Sequence, residues 1–233
     1  MIKHDKDLEK LLVAATDLLS QNNKFYEAED ALLKQLKEDP DNMEAGYTLG
    51  IMHAKRGDFN KALEYLEKIE QHPRGFVYLN HIRTVLGYIY ALEKKYVLSK
   101  QMLIKALDFS PEDITTLSIL AYVFYKAKLY EQSLKYYKKA IKNDPENAKL
   151  LNNIGFILIE TGLAVEKGIE YVEKALELNP DNASYLDSLG WGYYKTGDYE
   201  TAIETLRKAF ELAPGALEIK EHIREILNIT GEA

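Results

Sequence analysis

Cysteine is absent from the 233 residues. That absence excludes disulfides, thiolate metal sites, cysteine nucleophiles and cysteine-linked lipids together. Long apolar runs are missing too. The longest stretch without a charge, Ile114 to Tyr125, has twelve residues, against the ~20 that a membrane-spanning helix needs, so membrane insertion is not expected. Near the N-terminus the only apolar run is Leu11 to Ala15, with charges on both sides. It does not read as a signal peptide, and the cytoplasm is the expected compartment, or the periplasm for a form carrying a leader. Positive charge is in short supply: 30 Lys and Arg stand against 37 Asp and Glu, for a net −7. Binding a phosphate backbone needs clustered cations, so nucleic acid is not an expected partner. What remains, 46% hydrophobic and 29% charged, is ordinary for a folded chain in water.

Proline is scarce and regularly placed. The six are Pro40, Pro73, Pro111, Pro145, Pro180 and Pro214, separated by 33, 38, 34, 35 and 34 residues. Four sit in matching tetrapeptides, DPDN at 39–42, SPED at 110–113, DPEN at 144–147 and NPDN at 179–182. Proline disfavours helical geometry in the residue before it. The Asp or Asn that follows can accept from the orphan amides of a new helix. Each tetrapeptide therefore predicts one helix stopping and the next starting.

Small residues recur on the same frame. Gly50, Gly87, Gly155 and Gly190 fall inside the first helical stretch of their periods, with Thr16 and Ala121 taking that place in the first and fourth. The second stretches supply Ala28, Ala62, Ser99, Ser133, Gly168 and Ala202. Glycine inside a helix costs roughly 0.5–1 kcal/mol relative to alanine. Close approach of a neighbouring helix is the expected return.

This pattern resembles the tetratricopeptide repeat (TPR) family, whose 34-residue frame carries W-x2-L-G-x2-Y, A-x3-F and P. The segment YLDSLGWGYYKTGDYETAIETLRKAFELAP, ending at Pro214, carries the likeness best. Repeats assigned as 9–42, 43–76, 80–113, 114–147, 148–182 and 183–216 cover 205 of the 233 residues. Residues 77–79 are extra, repeat five has one added residue near Leu163 to Glu166, and repeat one is degenerate at Thr16 and Asp17. The resemblance implies an all-α, right-handed superhelical solenoid of six helix-turn-helix repeats, forming a single domain over 1–233. Residues 217–230 read as a capping helix, because Lys220 and Arg224 stand where the large apolar and the small residue are expected.

In the TPR family, repeat positions 2, 5, 9 and 12 of the first helix line a concave groove for partner peptides. Carried over, the expected groove residues are Tyr47, Ile51, Tyr88, Tyr122, Tyr125, Asn152, Phe156, Asp187, Trp191 and Tyr194. Position 9 is aromatic in four consecutive repeats: Tyr88, Tyr122, Phe156 and Trp191. Aromatic rings dominate binding hot spots, but the same rings can instead pack together and stiffen the stack. The set with which some TPR domains grip chaperone carboxylate tails is incomplete here, since no basic pair stands at matching offsets. The last two repeats resemble a module of bacterial TPR proteins, several of them envelope-associated, carried by LNNIGFILIE, DSLGWGYY and EIKEHI. On this frame Asp187 and His222 are expected to meet, either as a ligand anchor or as a structural pair.

Catalytic signatures are missing. The five histidines, His4, His53, His72, His81 and His222, lack metal-ligand spacing. Gly190-x-Gly192 lies within a helical stretch, not between a strand and a helix, so it is no nucleotide fingerprint. No phosphate loop or nucleophile elbow is present. The expectation is a non-enzymatic protein–protein interaction scaffold without cofactor or metal, binding a protein or peptide, with self-association left open. The alternatives are a bacterial envelope, pilus or secretion assembly factor and, behind it, a helical-repeat RNA binder, which would need a basic face.

Overall fold

A computed structural model describes residues 22–231. Repeat one's first stretch, with Thr16 and Asp17, lies outside the described residues. Those described form twelve α-helices, a short 3-10 turn and no strand. They are α1 (Asn22–Glu38), α2 (Met43–Arg56), α3 (Phe59–Glu70), the 3-10 turn (Pro73–Val77), α4 (Leu79–Leu92), α5 (Tyr96–Leu107) and α6 (Ile114–Lys126). There follow α7 (Tyr130–Asn143), α8 (Ala148–Glu160), α9 (Val165–Leu178), α10 (Ala183–Thr196), α11 (Tyr199–Leu212) and α12 (Leu217–Thr230). The fold is all-α and built of helical repeats. The chain divides into two compact units at Pro111 and Glu112, with α1–α5 in unit 1 and α6–α12 in unit 2.

The tetrapeptides act as local chemistry requires. Two residues after the proline, Asn42, Asp113, Asn147 and Asn182 accept hydrogen bonds from the backbone N–H groups of Ala45, Thr116, Leu150 and Tyr185. Each such cap is worth ~1 kcal/mol. The turn inside each helical hairpin needs a left-handed residue at repeat position 15. Gly57, Gly162 and Gly197 hold it at φ 81°, 66° and 86°, and Lys94 and Lys128 hold it at 60° and 58°.

Paired helices meet at the small residues. The hairpins α2/α3, α4/α5, α6/α7, α8/α9 and α10/α11 pack most extensively, and first helices also touch the next repeat, as in α2 with α4 and α8 with α10. A Cβ on Gly155 would stand 2.6 Å from the Gly168 carbonyl oxygen, and one on Gly168 would stand 2.7 Å from that of Gly155. In repeats three and four the second small residue is a buried serine. The Ser99 hydroxyl donates to the Gly87 carbonyl at 2.6 Å and that of Ser133 to the Ala121 carbonyl at 2.7 Å. Only a close approach of the two backbones lets so short a side chain reach across.

In unit 1 one of the extra residues, Tyr78, is packed inward. Tyr78 is buried and stacks on Tyr47 with ring centroids 4.6 Å apart. His53 of α2 is buried too, with Nε2 3.3 Å from Glu29 and Nδ1 3.5 Å from Asp58. Burial pulls its imidazole below the ordinary histidine range, against the opposing pull of those carboxylates.

Candidate functional site

The expected groove residues separate by unit. In unit 1, Tyr47 and Ile51 of α2 are each 3% exposed and belong to the core around Leu66, Ile82 and Leu86. They correct the expectation of groove-lining side chains, because α4 and Tyr78 cover them. The Tyr47 hydroxyl is joined to Nδ1 of His81 at 2.7 Å, and burial, followed by Tyr78, pushes its phenol up to about 12. Tyr88 on α4 is exposed.

In unit 2 the first helices carry a connected band. Tyr122 of α6 is exposed, and Lys126 one turn on holds its ammonium 5.5 Å from the Tyr122 ring and 5.6 Å from Tyr125. Tyr125 meets Phe156 of α8 edge-on at 6.0 Å. Burial, and then the charge of Glu160 at the end of α8, raises the Tyr125 phenol above its ordinary value. Trp191 of α10 donates its indole N–H to Glu160 Oε2 at 2.7 Å. It stacks on Tyr194 at 4.6 Å and on His222 of α12 at 4.2 Å. Lys195 lies over the rings of Trp191 and Tyr194. The Tyr194 hydroxyl donates to Glu225 at 3.0 Å, and that bond adds to burial in raising its phenol.

Asp187 and His222 do meet, at 2.8 Å. A carboxylate can only accept, so Nδ1 of His222 carries the proton. The pair ties α12 to α10 and sets the imidazole flat against Trp191. Trp191, only 5% exposed, is therefore a platform inside the band and not a free anchor. Asn152 of α8 is buried as well, and its Oδ1 has no hydrogen-bond partner among the described residues. These two also depart from the expectation of groove-lining side chains, because neighbouring helices pack over them, Glu160 and His222 over Trp191. The accessible part of the band is Tyr122, Tyr125, Phe156 and Tyr194 with the two lysines.

Three participants escaped the sequence reading: Glu160, Glu225 and Tyr78. Glu160 had a findable signal. Repeat position 13 runs Lys126, Glu160, Lys195, an alternation of sign along one face. The described residues contain no group of three or more His, Asp or Glu able to hold a metal ion. None of their helices is long and apolar enough to cross a membrane.

Sequence models of the tetratricopeptide repeat match residues 146–214, 12–75 and 115–147. The chain is a tetratricopeptide repeat protein. As a TPR protein it is a protein–protein interaction scaffold, of a family generally without enzymatic activity. No curated protein matches its sequence. Among solved structures, Pseudomonas aeruginosa pilF matches with a TM-score of 0.74 at 19% identity, over 95% of this chain and 98% of its own. A chain of the APC/C hetero-tetramer Cut9-Hcn1 matches at 0.72 and 16% identity, over 94% of this TPR protein. This TPR protein spans only 46% of that chain. YrrB, a TPR protein with an unusual peptide-binding site, matches at 0.63 and 18% identity, over 84% of this chain and 99% of its own. At these identities the likeness is one of fold.

Proposed function

We propose that unit 2 binds an extended or helical segment of a partner protein along the band on its first helices. The observation that carries this reading is the exposed Tyr122 with the half-buried Tyr125, Phe156 and Tyr194, flanked by the ammonium groups of Lys126 and Lys195. Rings of this kind offer contact area at low rotamer cost. A lysine over a ring is partly desolvated and strengthens its pull on a carboxylate. The segment is expected to alternate apolar and acidic side chains. Nucleic acid is a poor fit, because Glu160 and Glu225 stand between and beside the lysines.

The test is selection of displayed peptides on the full chain, followed by titration of a selected peptide against Tyr122→Ala/Lys126→Glu. Both residues are exposed, so the melting temperature should hold. Affinity should fall about tenfold, as for a disrupted hot spot and its charge. Unchanged affinity would remove the band from the reading.

A second reading, an envelope, pilus or secretion assembly factor, draws support from the fold likeness to pilF along nearly the whole of both chains. Retention of the chain by envelope fractions, lost with Tyr122→Ala/Lys126→Glu, would favour it.

A further inference from the structure

The last helix presents a stripe that the preceding first helix buries. In repeat six, Leu186 and Tyr193 of α10 pack against the core formed with Ala202 and Leu206 of α11. Between them, a Cβ on Gly190 would stand 2.6 Å from Leu206 Cγ. One repeat later the same frame places Lys220, Ile223, Arg224 and Leu227 on α12, the i, i+3, i+4, i+7 spacing of one helix face. No helix follows α12 among the described residues. With Phe210 of α11 and Asn228, this stripe walls an open groove of about 660 Å³.

The groove has an apolar floor and a cationic border. Lys220 lies 5.4 Å from the centre of the Phe210 ring. Neither Lys220 nor Arg224 is ion-paired to a carboxylate among the described residues. Arg224 also decides what cannot sit here. Its counterparts Gly50, Gly87, Gly155 and Gly190 lie so close to a second helix that an added Cβ would come within 2.5–2.6 Å of it. A second helix of this chain's own kind, from another copy, could not approach over an arginine at that place. The occupant must rest farther out, on Phe210, Ile223 and Leu227, and offer anions to the two cations.

We propose that this groove binds an amphipathic helix of a partner protein whose apolar stripe is flanked by carboxylates. The surface is separate from the band, and it stands or falls independently of the function proposed above.

The probe is a pair of labelled synthetic helices with leucine at i, i+3, i+4 and i+7, one flanked by glutamate and the other by lysine, titrated by fluorescence anisotropy against the full chain. The glutamate helix should bind at least ~tenfold tighter than the lysine helix. Lys220→Glu/Arg224→Glu should invert that preference, and Lys220→Gln/Arg224→Gln should abolish it with the melting temperature unchanged. The titrations are made in the Lys126→Glu/Lys195→Glu background, which removes the band's own attraction for an acidic segment. The proposal is overturned if neither helix binds, if both bind alike, or if Lys220→Gln/Arg224→Gln leaves the preference in place. It is also overturned if light scattering finds a dimer of the wild type that Arg224→Glu dissociates, since a second copy would then be the occupant.

Discussion

Repeat two of unit 1 and repeat four of unit 2 use position 9 of the first helix to opposite ends, with Ile51 buried and Tyr122 exposed. At positions 5 and 9 of repeat two, Tyr47 and Ile51 are core residues, closed over by Tyr78 from the three extra residues between repeats. In unit 2 the aromatic set stays partly accessible and carries lysines. Unit 2 has an insertion too, but it lengthens the turn between α8 and α9, where Gly162 takes φ 66° and Leu163 is exposed. An insertion between repeats can drop a ring onto the first-helix face. One inside a hairpin turn leaves that face alone.

The comparison can be broken first at the helix contacts. In unit 2, a Cβ on Gly155 meets the backbone of Gly168, which cannot turn aside. In unit 1, a Cβ on Gly50 meets the Cδ2 and Cγ of Leu66 at 2.5 and 2.6 Å, side-chain atoms that yield more readily than a backbone. Gly155→Ala should therefore cost about 3 kcal/mol of unfolding free energy, and Gly50→Ala about 1 kcal/mol or less. Equal losses in denaturant titrations would refute the distinction between backbone and side-chain contact.

Next comes the closure of unit 1. Tyr78→Ala should destabilise by roughly 3 kcal/mol, as for loss of a large buried ring. It should also return the Tyr47 phenol from about 12 towards its ordinary value. A phenol raised in the folded state favours folding below its unfolded pKa of ~10 and loses that contribution as pH climbs towards the folded value. The wild type should thus lose more stability between ~pH 10 and ~pH 12 than Tyr78→Ala does. A steeper alkaline loss in the variant would contradict the covering role of Tyr78.

The smallest effect is shared by the two units. Lys94 and Lys128 hold the left-handed turn position that glycine takes in the other described repeats. Lys94→Gly and Lys128→Gly should each raise stability by about 0.5–1 kcal/mol, relief of the left-handed cost less the added chain entropy. A gain in one unit only, seen by thermal melting, would show that the turns are not equivalent.

The repeat frame, the caps and the close helix contacts were legible because each depends on a few residues at short range. Asn147 two places after Pro145 caps α8, and Gly155 faces Gly168, as spacing alone requires. The meeting of Asp187 and His222 was legible too, since one repeat separates equivalent faces of stacked helices. The accessible site was less so. Trp191, the largest ring at position 9, turned out to be held by Glu160, Tyr194 and His222 from three different helices. Nothing in its own neighbourhood distinguished it from Tyr122, which is exposed.

By itself the amino-acid order determined that this chain is a run of paired helices on a frame of about 34 residues. Capping, turn geometry and the size of one contact residue are local matters, written where they act. Which rings vanish into the core and which face water was decided only in three dimensions. Exposure is a property of what packs on top, and the covering residue, Tyr78 over Tyr47 or His222 on Trp191, comes about 31 positions away, from another helix or connection.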